Sequence, residues 1–286
     1  MLVDSHCHLN VSRFSKIADD RDYSSEAIIG RAQRSGVECM LNIGTELPEW
    51  NLLRSISASH DMVFHSVGVH PLSAAEHCEK YSLQEISDAI DNGVDNSKCV
   101  AVGEIGLDYH YAKNHEKNQK ELFELQMAAA LKHDLPVSIH SRDAESDTIA
   151  ILRHSAGARG VMHCFSGGRG FAFAALDLGF YISFSGVITF KNSVQLQEVA
   201  KAVPIDRLLI ETDAPFLSPE PLRGKINEPA FLTHIAARMA ALLERPYEEI
   251  CDLTSQNFFN LFSKADSCQK IEIKKKTSSG CTANTP

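Results

Sequence analysis

Residues 100–140 read VAVGEIGLDYHYAKNHEKNQKELFELQMAAALKHDLPVSIH, and the fold follows from this stretch. It opens and closes on short apolar runs, 100–106 and 136–140. Continuous apolar runs of this length mark strands buried on both faces. Between them, 115–133 places Leu122, Leu125, Gln126, Ala129 and Ala130 on roughly one face of a helix. A strand, a helix and a second strand in succession imply a crossover and a parallel pair.

The same unit recurs along the chain. Further apolar runs lie at 2–8, 38–44, 63–69, 160–165, 180–187 and 207–212. Helical patterns fill 25–36, 48–60, 82–93, 145–156, 169–178, 193–202 and 228–243. Eight strand-then-helix units fit an α/β (β/α)8 TIM barrel, a fold of usually about 250 residues. A doubly wound open sheet is the alternative. No GxGxxG follows the first strand, which weakens a dinucleotide-binding version of it.

Composition narrows the class. The chain has 286 residues, 44% of them hydrophobic, enough for a large core. A net charge of −9 excludes a basic scaffold that coats nucleic acid. No apolar run reaches 18 residues, and the start, MLVDSHCHLN, lacks the regions of a signal peptide. Cys7, Cys39, Cys99 and Cys164 lie in apolar runs and no CxxC pair occurs, so reduced thiols and a cytoplasmic location are expected. A monomer is expected as well. Residues 1–263 read as one domain. From residue 264 the chain turns polar, with five lysines against two acids from Ser263 onward, and reads as a flexible C-terminal tail. Its lysine run reads as solvated, with nucleic-acid contact the weaker alternative.

Ionisable residues recur where the strands end. The first gives His6 and His8, two apart, so both imidazoles point one way and Cys7 the other. The fourth gives Glu104 and then Asp108, the fifth His140, the sixth His163, and the eighth Glu211 and Asp213. In a barrel these ends form one rim, the place where active sites are built. A lone histidine in a strand is more often a core residue than a ligand. Several ionisable groups buried together are costly unless paired or metal-bound, so a metal centre explains the set jointly. The histidines on helices, His60, His77, His133 and His154 among them, read as surface residues.

The ordered motifs DSHCHL (4–9), GVHP (68–71), GEIGLDY (103–109), IHSRDA (139–144), HCFSG (163–167), YISFSG (181–186), ETDAP (211–215) and RGKINEP (223–229) resemble the TatD family of metal-dependent hydrolases. That family is a branch of the amidohydrolase-like barrels, and the chain resembles its YcfH-type members. The resemblance runs from residue 2 to about 262. It implies two divalent cations: His6, His8, Glu104 and Asp213 for the first, and Glu104, His140 and His163 for the second. A carboxylate has two oxygens and can bridge two cations, which gives a physical reason for Glu104 at the shared position. Imidazole and carboxylate donors suit zinc, manganese, cobalt or nickel, and magnesium less well. Two such ions bring about +4 to the site, so the acidic net charge does not exclude a phosphate substrate.

The resemblance implies a deoxyribonuclease that attacks DNA ends with a metal-activated water, Asp213 taking the proton. Arg142 and Arg223 are candidate phosphate clamps, with surface ion pairing as the alternative. His70 is expected on the substrate side or behind a ligand. Asp108 and Glu211 are expected to orient ligand imidazoles. Tyr109, Tyr111, Phe165 and Phe216 are candidate base platforms, though packing suits most of them better. A metal centre of this kind also attacks carbonyl carbon, so an esterase acting on aminoacyl-tRNA is the second enzymatic reading. A binding protein with structural metal is the third, disfavoured because structural zinc sites are closed and usually rich in cysteine.

Overall fold

The structure, a computed structural model, describes residues 1–10 and 21–266. Eight parallel strands form one sheet in chain order: β1 (Leu2–Cys7), β2 (Val37–Asn42), β3 (Val63–Val67), β4 (Cys99–Asp108), β5 (Val137–Arg142), β6 (Gly160–Met162), β7 (Tyr181–Phe184) and β8 (Leu208–Ile210). Representative register partners are Val3 with Cys39, Ile105 with Ile139, and Ile182 with Leu208.

The sheet curls into a nearly closed (β/α)8 barrel. Its seam, between β1 and β8, is closed largely by individual hydrogen bonds. Asp213 donates its N–H to His6 O and His8 donates its N–H to Ala214 O, both at 2.9 Å. The Ser5 hydroxyl donates to Ile210 O at 3.0 Å. Val3 of β1 and Leu209 of β8, from opposite ends of the strand order, share one buried cluster with Leu41, Phe64 and Val161. Only a curled sheet brings them together.

Ten helices are described: α1 (Ser25–Arg34), α2 (Trp50–Ser59), α3 (Ala74–Lys80), α4 (Leu83–Val94), α5 (Glu116–Lys132), α6 (Glu145–His154), α7 (Arg169–Asp177), α8 (Val194–Ala202), α9 (Leu232–Leu243) and α10 (Tyr247–Leu261). Side-chain caps mark the starts of two of them, α1 at Ser24 and α4 at Ser82. Ser82 accepts from Glu85 N–H while the Glu85 carboxylate accepts from Ser82 N–H, a reciprocal cap that begins α4. That helix then buries Ile86, Ile90 and Val94 at fourfold spacing. None of the described helices is long and apolar enough to cross a membrane.

Three differences from the sequence reading have physical causes. First, β6, β7 and β8 stop earlier than their apolar runs, so His163, Glu211 and Asp213 follow their strands. Cys164 and Asp213 adopt positive φ, 42° and 54°, which turns the chain out of the ladder. Second, α3 and α10 complete the helical layer. Phe258 and Phe259 of α10, with Phe262 just beyond, join the cluster of Val3 and Leu209. Ala265 is buried in the same cluster, so the chain is still packed just past residue 264. The rest of the expected tail, 267–286, lies outside the described residues. Third, His77 is buried and not on the surface: its Nε2 accepts from Leu47 N–H and its Nδ1 faces Ser73 O at 2.9 Å. The described cysteines are free thiols, but Cys164 sits on the turn after β6 and lines the rim cavity.

Candidate metal centre

The barrel's C-terminal rim surrounds a cavity of about 660 Å³. His8, His70, Glu104, Asp108, His140, Arg142, His163 and Asp213 line it. Residues far apart in sequence meet here because every strand runs the same way and ends on the same face.

Glu104 is the centre of the arrangement, and its two oxygens face different partners. Oε2 lies 3.5 Å from His6 Nε2 and 3.9 Å from His8 Nε2. Asp213 Oδ1 completes that side, 3.8 Å from His6 Nε2 and 3.6 Å from His8 Nε2. Oε1 faces the other way, 2.8 Å from His163 Nε2, 3.2 Å from His140 Nδ1 and 3.1 Å from His70 Nε2. Three donor sets therefore overlap: His6, His8 and Asp213; His6, Glu104 and His163; and His70, Glu104 and His140.

Groups behind the rings decide which nitrogen points inward. His8 Nδ1 faces Ile43 O at 3.2 Å. A carbonyl only accepts, so Nδ1 carries the proton and Nε2 presents a lone pair. His163 Nδ1 donates to Glu211 Oε1 at 3.1 Å, and Cys164 N–H donates to the same oxygen at 2.6 Å. His140 Nε2 donates to Asp108 Oδ2 at 3.0 Å, while Oδ1 of that carboxylate accepts the N–H of His110 and Tyr111. Asp108 and Glu211 thus stand behind His140 and His163.

With the outer nitrogen of His163 donating, a neutral ring would turn the lone pair of its inner nitrogen toward Glu104 Oε1, 2.8 Å away. Lone pairs this close repel unless a proton or a cation lies between them. Burial works against charging His163, but Glu104 and Glu211 outweigh it and hold its pKa well above the usual range. Burial also opposes ionisation of Glu104, and the surrounding imidazoles outweigh it and keep that carboxyl well below its usual range. The same contest lowers Asp213, with His8 and His6 its main counterweights. His6 goes the other way, because burial lowers it. The cluster thus calls for positive charge among its inner atoms, and imidazole nitrogens with carboxylate oxygens are a donor set that fits divalent first-row cations.

Three kinds of residue behind the centre escaped the sequence reading. Asp4 is fully buried on the seam, where its carboxylate accepts the N–H (2.9 Å) and hydroxyl (2.6 Å) of Thr212. Burial pushes its pKa up to about 8. The period of two linking it to His6 and His8 was the available signal. Gln119 and Gln126 of α5, both buried, each clasp a rim peptide. Gln126 accepts from Val69 N–H and donates to Val69 O, and Gln119 does the same to Asp108. Asn227 donates to Thr212 O and Phe216 O, bracing the turn that carries Asp213. Nothing local in the sequence marks such clasps, because each depends on a partner in another element.

The other candidates separate. Arg142 lines the cavity with its guanidinium 4.7 Å from the Tyr111 ring centre. Arg223 lies outside the cavity wall, stacked on Phe190 at 4.0 Å. It lies within the long loop between β8 and α9, a placement the motif alone does not reveal. Tyr111 is 66% exposed and Phe216 48% exposed, and both line the cavity. Phe165 is buried against Phe171 and Phe184, and Tyr109 is tied through its hydroxyl to Asp147, so both are packing residues.

Comparison with known proteins identifies the family. The family model described as TatD related DNase matches residues 3–263. The metal-dependent hydrolase YcfH of Escherichia coli K12 is 41% identical over 263 residues, covering 91% of this chain and 95% of YcfH. A Klebsiella pneumoniae protein named 3′-5′ ssDNA/RNA exonuclease TatD is 33% identical over 249 residues, covering 84% of this chain and 89% of its own. Among solved structures, the TatD homologue YjjV of Escherichia coli superposes with a TM-score of 0.81 at 29% identity, covering 92% of this chain and 98% of its own. The chain belongs to the TatD family of metal-dependent hydrolases.

Proposed function

We propose that this protein is a two-cation phosphodiesterase that removes nucleotides from the 3′ end of single-stranded or frayed DNA. The observation that carries the reading is the division of Glu104, with one oxygen toward His6 and His8 and the other toward His140 and His163. One carboxylate serving two clusters is what two neighbouring cations require. In this reading His6, His8, Glu104 and Asp213 hold one cation. Glu104, His140 and His163 hold the other. When bound, such ions supply Lewis acidity and make water a nucleophile near neutral pH.

The chain's own groups do the rest. Asp213 is held ionised at the cavity wall and is the base that takes the water's proton. The same carboxyl can return a proton to the leaving oxygen. Arg142 borders the cavity with a guanidinium that matches two phosphate oxygens, and it assumes the clamp role alone. Tyr111 and Phe216 offer exposed rings beside it, suited to bases that have left a duplex stack. The 3′ direction is taken from the Klebsiella relative's name.

The test is turnover of single- and double-stranded DNA labelled at either end, with metal-free protein given each divalent ion in turn. Stepwise shortening from the 3′ end, faster on single strands, is the expected result. No cleavage with any ion would overturn the reading, and release of the amino acid from aminoacyl-tRNA under those conditions would replace it with the esterase.

A further inference from the structure

We infer that His70 is a fixed hydrogen-bond donor to the substrate and not a metal ligand, because its own turn locks the ring in the Nε2–H tautomer. His70 belongs to the same inner group as His140 by proximity alone, with Nε2 3.1 Å from Glu104 Oε1. What lies behind the ring separates them. His70 Nδ1 accepts the backbone N–H of Leu72 at 3.1 Å. An amide N–H only donates, so Nδ1 must hold a lone pair, and the one proton of a neutral imidazole is then on Nε2. A ring with its proton on the inward nitrogen has no lone pair there to give a cation.

The contrast with the neighbours is internal to the site. The outer nitrogens of His8, His140 and His163 face a carbonyl, the Asp108 carboxylate and the Glu211 carboxylate, all acceptors. His70 alone of these four faces a donor. Its turn enforces the arrangement. Pro71 has no N–H, so Leu72 is the first residue able to donate back to the ring. His70 N–H donates to Thr45 O and His70 O accepts from Ser73 N–H, both at 2.9 Å. Gln126 clasps Val69 from behind, at 2.7 and 3.1 Å. The turn is anchored from behind while the ring's Nε2–H faces Glu104 Oε1 at the cavity wall, which Arg142 also lines.

A phosphoryl oxygen entering the cavity competes with Glu104 Oε1 for that hydrogen. A preorganised donor aimed where negative charge grows in the transition state acts mainly on kcat. The identity of that oxygen rests on the phosphodiesterase reading; the tautomer does not.

The experiment has two arms. Long-range ¹H–¹⁵N NMR of the full chain reads which nitrogen of each ring is protonated, in metal-free and zinc-loaded protein. His70 should show Nε2–H in both forms, with His8 and His163 showing Nδ1–H. An Nδ1-protonated His70 with Nε2 shifted by zinc would overturn the inference. In the second arm, His70→Ala and His70→Gln are measured for zinc per chain and for turnover of bis(p-nitrophenyl) phosphate. Both should bind as much zinc as the parent protein. His70→Ala should lose roughly 100-fold in kcat with a smaller change in KM, and Gln, which keeps an N–H, should recover part of it. Loss of zinc in both variants, or an unchanged kcat in His70→Ala, would also overturn it. A parent protein inactive on every phosphodiester would instead refute the proposed function, leaving NMR and zinc content to decide the tautomer.

Discussion

Glu211 offers the sharpest test of how the centre is supported. Its side chain is fully buried, with Oε1 accepting from His163 Nδ1 (3.1 Å) and from Cys164 N–H (2.6 Å), while Oε2 has no partner. Glu211→Gln keeps an acceptor for both donors and removes only the charge. The His163 ring stays in place but loses the carboxylate that raises its basicity. Replacing such a partner typically weakens metal affinity about 10–100-fold, or roughly 1.4–2.7 kcal/mol. Glu211→Leu is different, because it strands two buried donors at about 1–3 kcal/mol each. The fold should then lose roughly 2–6 kcal/mol as well. Calorimetric zinc titration and urea unfolding of both variants separate the effects. Glu211→Gln should show weakened binding with near-normal stability, and Glu211→Leu should show both defects. Zinc affinity within threefold of the parent in Glu211→Gln would refute the claim that the carboxylate tunes His163.

Three further outcomes follow from other parts of the molecule. Asp213→Asn should fold normally and nearly abolish turnover; more than about a tenth of the parent activity remaining would exclude it as the base. His65, buried and bonded to Ser57 at 2.8 Å, has its pKa lowered to about 4 by burial, with Arg54, Lys264 and Lys98 adding to the shift. The unfolded chain takes a proton there near pH 6.5 and the folded chain does not. This contribution, on the order of 3 kcal/mol, is therefore full above about pH 6.5 and lost as the pH falls toward 4. Urea midpoints across that window should fall more steeply for the parent than for His65→Gln, and parallel curves would show that His65 is not responsible. Gln126→Leu removes the clasp on Val69, so kcat should drop while zinc content stays at the parent level. Equal loss of both would assign Gln126 to general stability.

The sequence carried the architecture because its signals are local. Apolar runs such as 100–106 and 136–140 flank a long amphipathic segment, and parallel strands buried on both faces read as near-continuous runs of this kind. Alternation within a strand was enough to put His6 and His8 on one side and Cys7 on the other, where it packs against the Leu41 carbonyl. Strand polarity was enough to gather Glu104, His140, His163 and Asp213 onto one rim. The motif match to a metal-dependent hydrolase family rests on those same positions.

Tertiary structure decided what depends on the far side of a contact. Which Glu104 oxygen serves which histidines follows from the curvature of the barrel. The tautomers of His8, His140 and His163 are set by Ile43, Asp108 and Glu211, and that of His70 by the amide of Leu72, which only a formed turn brings back to the ring. Arg142 and Arg223 look alike as residues, yet one reaches the cavity and the other lies on Phe190. The burial of Asp4 against Thr212 exists only because the first and last strands meet. Residue type and spacing specify which groups a chain can offer. Direction, protonation and partner are properties of the closed barrel, because each requires two segments remote in sequence to be held within one hydrogen-bond length.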